Sequence, residues 1–453
     1  MASPWERLYW SSPLWLQQTA VAAWGVGWYL RRYGPQFHRL VREFRERDAW
    51  DIEQFHAYQE RRLAKVFEAA WNSPFYHARF CAAGITPKMA PWDALARLPL
   101  LSKQTAREWA KDMLTTNRLP WRTKVFNTSG STGTPMGVYY TPEFHMVQSA
   151  VAEVRSLNIG GATYRSRRFM CAGRKVCRFE ETRPPFWRQS PIENLAYASS
   201  YHLAPQFLPH YVDFLRGFRP QVLMGYPSAL STIARFMVQE NVSLPSPLMA
   251  VTSAETVGSE TRSVIETAFQ CRLFDRYGAA EGCVFAGQCE FGRYHVSPEL
   301  GIIEIINERG KPCAPGELGE IVCTGLQNLL QPFIRYRIGD AARWARNQQC
   351  RCGRKTPILE QIEGRMDAML YTADGRRVGR VDHIFKGVHN VKEAQVRQER
   401  IHRFVISVVP EQGFGGNDIK QLQDNMRLHV GAVEVQVQPV PSIPRTAAGT
   451  FRA

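Results

Sequence analysis

Between residues 121 and 364 short apolar runs alternate with helical ones, and this rhythm limits the chain to few architectures. Gln221-Val-Leu-Met-Gly225 reads as a strand, Ser228 to Gln239 as a helix and Leu248-Met-Ala-Val-Thr-Ser253 as the next strand. Strand, helix, strand in that order predicts an α/β domain with parallel strands joined by crossover helices. Ile302 to Ile306 and Glu320 to Thr324 read as later strands. Upstream, residues 35 to 85 read as amphipathic helix. Leu40, Val41, Phe44, Leu63, Val66, Phe67 and Ala70 recur at helical spacing, and Asn72-Ser-Pro74 ends the run. After Gly364-Arg365 the pattern changes to a hairpin over Met369 to Val378, turning at Ala373-Asp-Gly375, which leads a short α+β tail. The expectation is a helical arm over 1–85 packed on the main domain, a large α/β domain over 86–364 and a small, mobile C-terminal α+β lid over 365–453. A chain of 453 residues, 44% of them hydrophobic, supports a core of that size. It shows no internal repeat and no low-complexity linker.

The formal charge is +16, with arginine well ahead of lysine. Such a balance suits nucleic acid, an anionic membrane surface or anionic small molecules such as nucleotides and CoA. The basic residues are scattered from end to end and no nucleic-acid motif accompanies them, so nucleic acid is set aside as a partner. The ten cysteines stand in a chain whose start has no basic leader followed by an apolar run. That predicts a reducing cytoplasm with free or metal-bound thiols. Leu14 to Leu30 is apolar and Trp-rich and is followed by Arg31-Arg32. It is short for a spanning helix, which needs about 20 mostly apolar residues. A helix packed on the main domain is the expectation. An interfacial helix at the inner face of the membrane and a dimer contact stay open beside it.

Asn127-Thr-Ser-Gly-Ser-Thr-Gly-Thr-Pro-Met-Gly137 is a run of hydroxyl residues broken by glycines and flanked by apolar stretches. Its backbone N–H groups and hydroxyls suit phosphate oxygens, and glycine lets a ligand come close. It is no Walker loop, since it lacks a Gly-Lys-Ser/Thr ending. Further along stand Phe274-Asp-Arg-Tyr-Gly-Ala-Ala-Glu-Gly282, Gly316-Glu-Leu-Gly-Glu-Ile-Val-Cys-Thr324, Phe333-Ile-Arg-Tyr-Arg-Ile-Gly-Asp340, Gly364-Arg-Met-Asp367 and Ile443-Pro-Arg-Thr-Ala-Ala-Gly449. In this order and spacing they resemble the adenylate-forming superfamily, most nearly its phenylacetate–CoA ligase branch and the CapK-like group within it. Leu98-Pro-Leu-Leu-Ser-Lys103 and Met224-Gly-Tyr-Pro-Ser228 fit that branch too.

The resemblance implies activation of a carboxylic acid by ATP and transfer of the acyl group to CoA or another acceptor. It also implies the residue roles. Thr128, Ser129, Gly130, Ser131, Thr132, Gly133 and Thr134 would hold the β- and γ-phosphates. Glu281 would hold Mg2+. Tyr277 and Gly278 would lie against adenine, and Asp340 would bind the ribose hydroxyls. Arg365 would approach ribose or phosphate, and Asp367 would be the hinge of the small domain. Gly225, Tyr226, Ala254 and Glu255 would line the nucleotide and acyl pocket.

Cys289 and His295, with Cys350 and Cys352, offer three thiolates and an imidazole in polar, turn-rich stretches. That set suits structural Zn2+ in a closed four-ligand site.

Two positions depart from the family. Where its terminal motif ends in Gly-Lys, this chain has Gly449-Thr450. A threonine carries no charge to set against a phosphate. Thr134 likewise stands where many relatives have lysine. Lys386 and Lys392 are candidate surrogates in the small domain. Three functions remain: a carboxylate–CoA ligase, with polysaccharide or envelope assembly as one setting; a pseudoenzyme that binds nucleotide or acyl ligand; and an adenylating enzyme that serves an amine or carrier protein.

Overall fold

The apolar run over residues 35–85 folds as separate helices rather than one. The N-terminal helices are α1 (Pro4–Ser11), α2 (Leu14–Arg32), α3 (Phe37–Glu46), α4 (Ile52–Ala70), α5 (Pro74–Ala82), α6 (Pro91–Arg97) and α7 (Lys103–Glu108). Local capping sets the breaks. The Asp51 carboxylate accepts from the Gln54 backbone N–H at 2.8 Å, and the Gln54 side chain accepts from the Asp51 N–H at 3.0 Å. This reciprocal box starts α4. The Ser73 hydroxyl accepts from the Tyr76 N–H at 3.3 Å and caps α5 without a reciprocal bond, with Pro74 at the first helical position. This computed structural model describes residues 4–128, 136–178, 180–365, 370–371, 377–378, 384–385, 388 and 390–444.

Contacts divide the chain into two units, Met1–Ile338 with Ala342–Gln361, and Gly339–Ala341 with Ile362–Ala453. In the first, β1 (Lys124–Asn127) and β2 (Gly137–Tyr140) form an antiparallel ribbon, followed by α8 (Pro142–Ala152). Then come β3 (Arg168–Ala172), β4 (Trp187–Ser190), β5 (Leu195–Ser199), α9 (Leu208–Phe218), β6 (Val222–Gly225), α10 (Pro227–Gln239), β7 (Met249–Thr252), α11 (Ser259–Phe269) and β8 (Arg272–Gly278). The later strands are β9 (Phe285–Gln288), β10 (Tyr294–Val296), β11 (Gly301–Ile306), β12 (Gly319–Gly325), β13 (Tyr336–Trp344) and β14 (Ile358–Arg365). They form a 12-stranded sheet in the order β11-β12-β13-β14-β10-β9-β8-β7-β6-β3-β5-β4.

The half containing β5, β3, β6, β7 and β8 is parallel. Its strands are buried on both faces, as crossover helices require. Leu223, Ala250 and Leu273 face α9, α10 and α11, while Val222, Met224, Met249, Val251 and Phe274 face the opposite way. The expected strand–helix–strand reading over 221–253 corresponds to β6, α10 and β7.

β4 is the edge strand, and α2 covers it. The Gln18 amide donates to the Gln189 carbonyl at 2.6 Å and accepts from the Gln189 N–H at 3.0 Å. Those are backbone groups an edge strand would otherwise leave open. A Cβ on Gly25 would lie 2.0 Å from the Ser190 hydroxyl, so only glycine lets the helix approach this closely.

The second unit holds β15 (Leu370–Tyr371), β16 (Arg377–Val378), β17 (Val391–Arg400), β18 (Arg403–Pro410), α12 (Gly416–Val430) and β19 (Glu434–Pro439). β15 pairs antiparallel with β16; the intervening 373–375 turn lies outside the described residues. β17 is antiparallel to β18, which runs parallel to β19 after the α12 crossover. Phe404, Ile406 and Val408 pack on Leu422 and Met426 to form its core. The architecture is a large N-terminal α/β unit and a small C-terminal α+β unit.

Candidate active site

The carboxyl ends of β3, β6, β7 and β8 lie side by side, the place where open parallel sheets bind ligands. At the end of β6, a Cβ on Gly225 would lie 2.3 Å from the Cys171 carbonyl oxygen, so glycine is required for the strands to close. The Tyr226 N–H donates to that same carbonyl at 3.1 Å and precedes Pro227, the first residue of α10. Ala254, just beyond β7, has φ +72°, a left-handed conformation that costs an alanine about 1 kcal/mol or more. That turn aims Glu255 at α10. Its carboxylate accepts from the Ser228 N–H at 2.9 Å and from the Ser228 hydroxyl at 3.0 Å. The helix N-terminus favours the negative charge.

β8 carries Tyr277, half-buried, and Gly278, exposed. Beyond it the chain turns through Gly282 at φ +66°, where a Cβ would lie 2.5 Å from Phe144 Cζ. Glu281 is buried in this turn, and three elements fix it. The Tyr336 hydroxyl of β13 donates to its carboxylate at 2.7 Å. The Tyr140 hydroxyl of β2 donates to the Ala280 carbonyl at 2.8 Å, and the Gln148 amide of α8 donates to the Gly282 carbonyl at 3.0 Å. Burial and the neighbouring carboxylate raise Tyr336 above the usual phenol range, so it stays a donor.

Three of the sequence motifs thus converge on Glu281: the strand leaving the hydroxyl-rich loop, the turn after β8, and Phe333-to-Asp340. In sequence the loop joins β1 to β2. At its base the Thr128 N–H donates to the Met136 carbonyl at 2.9 Å, and the buried Thr128 hydroxyl accepts from the Met136 N–H at 3.1 Å. Thr128 therefore closes the loop. Ser129, Gly130, Ser131, Thr132, Gly133 and Thr134 lie outside the described residues, as do Asp367, Thr450, Lys386 and the side chain of Lys392. Asp340 and Arg365 belong to the second unit and pair there at 3.8 Å, beside Gly339 at φ +84°.

A second cluster sits at the β9–β10 turn. The ligand atoms of Cys289, His295, Cys350 and Cys352 all lie within 4.8 Å of one another. The Cys289 and Cys350 sulfurs are 3.7 Å apart, and Cys352 Sγ is 3.3 Å from His295 Nε2. A tetrahedral Zn2+ with Zn–S bonds of about 2.3 Å sets its sulfurs roughly 3.8 Å apart, whereas a disulfide needs about 2.05 Å. Two tight turns present the thiols, through Gly292 at φ +75° and Gly353 at φ +80°. His295 Nδ1 lies 2.9 Å from the Thr356 hydroxyl, which orients the ring and leaves Nε2 toward the thiols. Burial first, then the charges of Arg354, Arg293 and Arg155, push His295 down to about 4 and keep it neutral, the form that binds metals.

Sequence reasoning missed the side chains that hold these sites. Tyr336 lay inside a quoted motif, where a phenol between two arginines on a strand could have marked it. Ser228 also ended a quoted motif, in the first turn of α10; Tyr140, Gln148 and Thr356 carry no local signal, because their partners are distant in sequence.

Comparison with known proteins bears on this geometry. The model of the AMP-binding enzyme family matches residues 124–330, and that of the CapK C-terminal domain matches residues 370–453. Protein CapK of Staphylococcus aureus is 25% identical, with 98% of each chain covered. A phenylacetate-coenzyme A ligase of Thermus thermophilus is 27% identical, covering 75% of this chain and 74% of its own. Among solved structures, a 2-hydroxyisobutyryl-CoA ligase in the postadenylation state with R3-HIB-AMP superposes with TM-score 0.69 at 20% identity, over 90% of both chains. That last likeness is one of fold.

Proposed function

This chain belongs to the adenylate-forming superfamily, in its phenylacetate–CoA ligase-like, CapK-like group, and from that premise we propose that it activates a carboxylic acid as the acyl-adenylate and passes the acyl group to CoA. The acid's carboxylate oxygen attacks the α-phosphorus of ATP and pyrophosphate leaves. The CoA sulfur then attacks the acyl carbon and AMP leaves. The single observation that carries this reading is the buried Glu281 carboxylate, held by Tyr336 beside the strand that leaves the hydroxyl-rich loop.

In this reading Glu281 holds Mg2+, which neutralises phosphate oxygens. The loop over 128–134 cradles phosphate, Tyr277 and Gly278 receive adenine, and Gly225, Tyr226 and Ala254 shape the acyl pocket. Glu255 ties the turn after β7 to α10, which sets the width of that pocket. Asp340 binds the ribose hydroxyls, Arg365 approaches ribose or phosphate, and Asp367 is the hinge of the small domain. Cys289, His295, Cys350 and Cys352 hold a structural Zn2+. Such a closed set of four leaves no open position for chemistry.

None of the ten cysteines is in a disulfide, which supports a reducing, cytoplasmic setting. Among the described residues no helix is long and apolar enough to cross a membrane. We place the protein peripherally at the inner face of the membrane, through α2. Its likeness to CapK over nearly the full length supports a role in polysaccharide or envelope synthesis.

The test is AMP release and thioester formation, followed by mass spectrometry, with ATP, CoA and a panel of aryl, aliphatic and hydroxy acids. One class of acid should yield AMP and its CoA thioester together. AMP with no thioester, but with an amide when amines are supplied, would move the acceptor from CoA to an amine. Thr450 favours a second reading, a nucleotide-binding pseudoenzyme: ATP binding without AMP release from any acid would select it. In that event Thr450→Lys should restore AMP release.

A further inference from the structure

The outward face of α2 has an unusual composition. Its inward residues follow helical spacing: Gln17 accepts from Arg188 at 2.6 Å, Gln18 pairs with β4, Val21 packs on the core and Gly25 abuts Ser190. The opposite stripe, Trp15, Thr19, Ala23, Val26 and Leu30, recurs at three- and four-residue steps and faces outward. Trp15 is 69% exposed and Leu30 57%. No charged residue occurs from Leu14 to Leu30. A helix docked on a protein normally turns charge toward water. This one turns tryptophan, leucine and valine.

A second exposed apolar segment stands beside it. The Arg31 guanidinium of α2 donates to the Arg122 carbonyl at 2.6 Å, and the Trp28 ring lies 5.9 Å from Phe126. These contacts hold Arg118-Leu-Pro-Trp-Arg-Thr-Lys-Val125 against the C-terminal half of the helix. In that segment Trp121 is 79% exposed, and Arg118, Leu119, Arg122, Lys124 and Val125 are exposed as well. Arg122 lies over the Trp121 ring at 4.1 Å. At the other end of α2, under the α1–α2 elbow, a cavity of about 410 Å³ is lined by Trp10, Leu14, Arg178, Arg183 and Arg188, with Glu181 the one acidic residue on its wall.

We propose that α2 and residues 118–125 form one docking surface for an anionic lipid bilayer, with the apolar stripe at acyl-chain depth and the flanking arginines and lysine on lipid phosphates. Tryptophan and leucine between cations is the composition of a helix lying in the headgroup plane. The charge fits: each cation near an anionic surface adds about fivefold to binding. A second copy of this chain fits less well, since its surface would bring the same cations and a net charge of +16 against this one. This inference sharpens the peripheral placement above and is independent of the chemistry at Glu281.

The experiment is flotation of the full chain with vesicles of phosphatidylcholine alone and of phosphatidylcholine mixed with phosphatidylglycerol. The protein should float with the mixed vesicles, weakly or not at all with the neutral ones, and less as salt rises. Trp15→Glu with Leu30→Glu should cut binding by about tenfold or more. Both side chains are mostly exposed, so the variant should keep the wild-type melting temperature and its acid-dependent AMP release in vesicle-free solution. Arg118→Glu with Arg122→Glu and Lys124→Glu should remove the preference for phosphatidylglycerol. Failure of the wild type to float with mixed vesicles at low salt overturns the proposal, and so does undiminished flotation of Trp15→Glu with Leu30→Glu. A wild-type dimer that the same pair of changes turns into a monomer also overturns it, and assigns the face to a second copy.

Discussion

Two places in the large unit gather ionisable groups, and they are built on opposite plans. At the carboxyl ends of β6 to β8, the Glu255 and Glu281 carboxylates accept from neutral donors, the backbone N–H and hydroxyl of Ser228 and the phenol of Tyr336. At the β9–β10 turn, Cys289, His295, Cys350 and Cys352 face one another, and Thr356 holds the outer nitrogen of the imidazole. In the proposed function the first arrangement serves a ligand that comes and goes, and the second would spend its donors on a single ion. The lesson is that neutral donors can orient a carboxylate without bringing a charge of their own, whereas the cysteine cluster gathers groups that suit one shared ion.

The largest effect should come from opening the closed cluster. Cys350→Ser with Cys352→Ser should purify without the Zn2+ proposed for the wild type and should lose several kcal/mol of stability, about 4 or more. Metal analysis and thermal melting would read this. Unchanged zinc content and melting temperature in the double variant would erase the contrast between the two places. Glu281→Gln should do the reverse: adenylation slowed by about 10² to 10³, with melting almost unmoved, because the amide still accepts from Tyr336. Tyr336→Phe should cost less rate, about tenfold, if the phenol only positions the carboxylate.

Gly282→Ala should come next, destabilising by about 3 kcal/mol. Its methyl must adopt φ +66° and displace the Phe144 ring. Chemical denaturation would measure it; a neutral change would mean that the turn bearing Glu281 is less constrained than its contacts imply.

The smallest of the stability effects concerns the seam where α2 docks, another closed arrangement. Arg31 donates to His145 Nδ1 at 3.0 Å, so the imidazole must be neutral. Burial first, then Arg32 and Arg31, push it from 6.5 to about 2. A folded value below the unfolded one means that this stability is complete above pH 6.5 and is lost as pH falls through the interval between them. Between pH 7 and 5 the loss should be about 2 kcal/mol. His145→Asn should flatten that part of the stability–pH curve, and equal slopes in both proteins would show that His145 is not held neutral.

Much of the fold was legible because its signals are local. The apolar runs at β6, β7, β11 and β12 and the helix between β6 and β7 announce themselves by period. The break between α3 and α4 was missed because a period shows apolar faces, while the Asp51–Gln54 box that divides them is a matter of hydrogen bonds. The candidate site was legible as ordered motifs but not as geometry. Glu281 stood out beside its glycines; that Tyr140, Gln148 and Tyr336 would pin its turn depends on contacts spanning 55 to 140 residues. The cysteine cluster shows the same limit. Its Cys-x-Cys pair was visible, but its meeting with Cys289 and His295 follows from β10 pairing with β14, which no local pattern encodes.

The central claim is that the Glu281-centred site activates a carboxylic acid. The direct measurement is acid-dependent exchange of radiolabelled pyrophosphate into ATP, in wild type and Glu281→Gln side by side. Exchange that needs one class of acid and falls by about 10² or more in the variant is the predicted result. Exchange that survives Glu281→Gln undiminished would contradict the account.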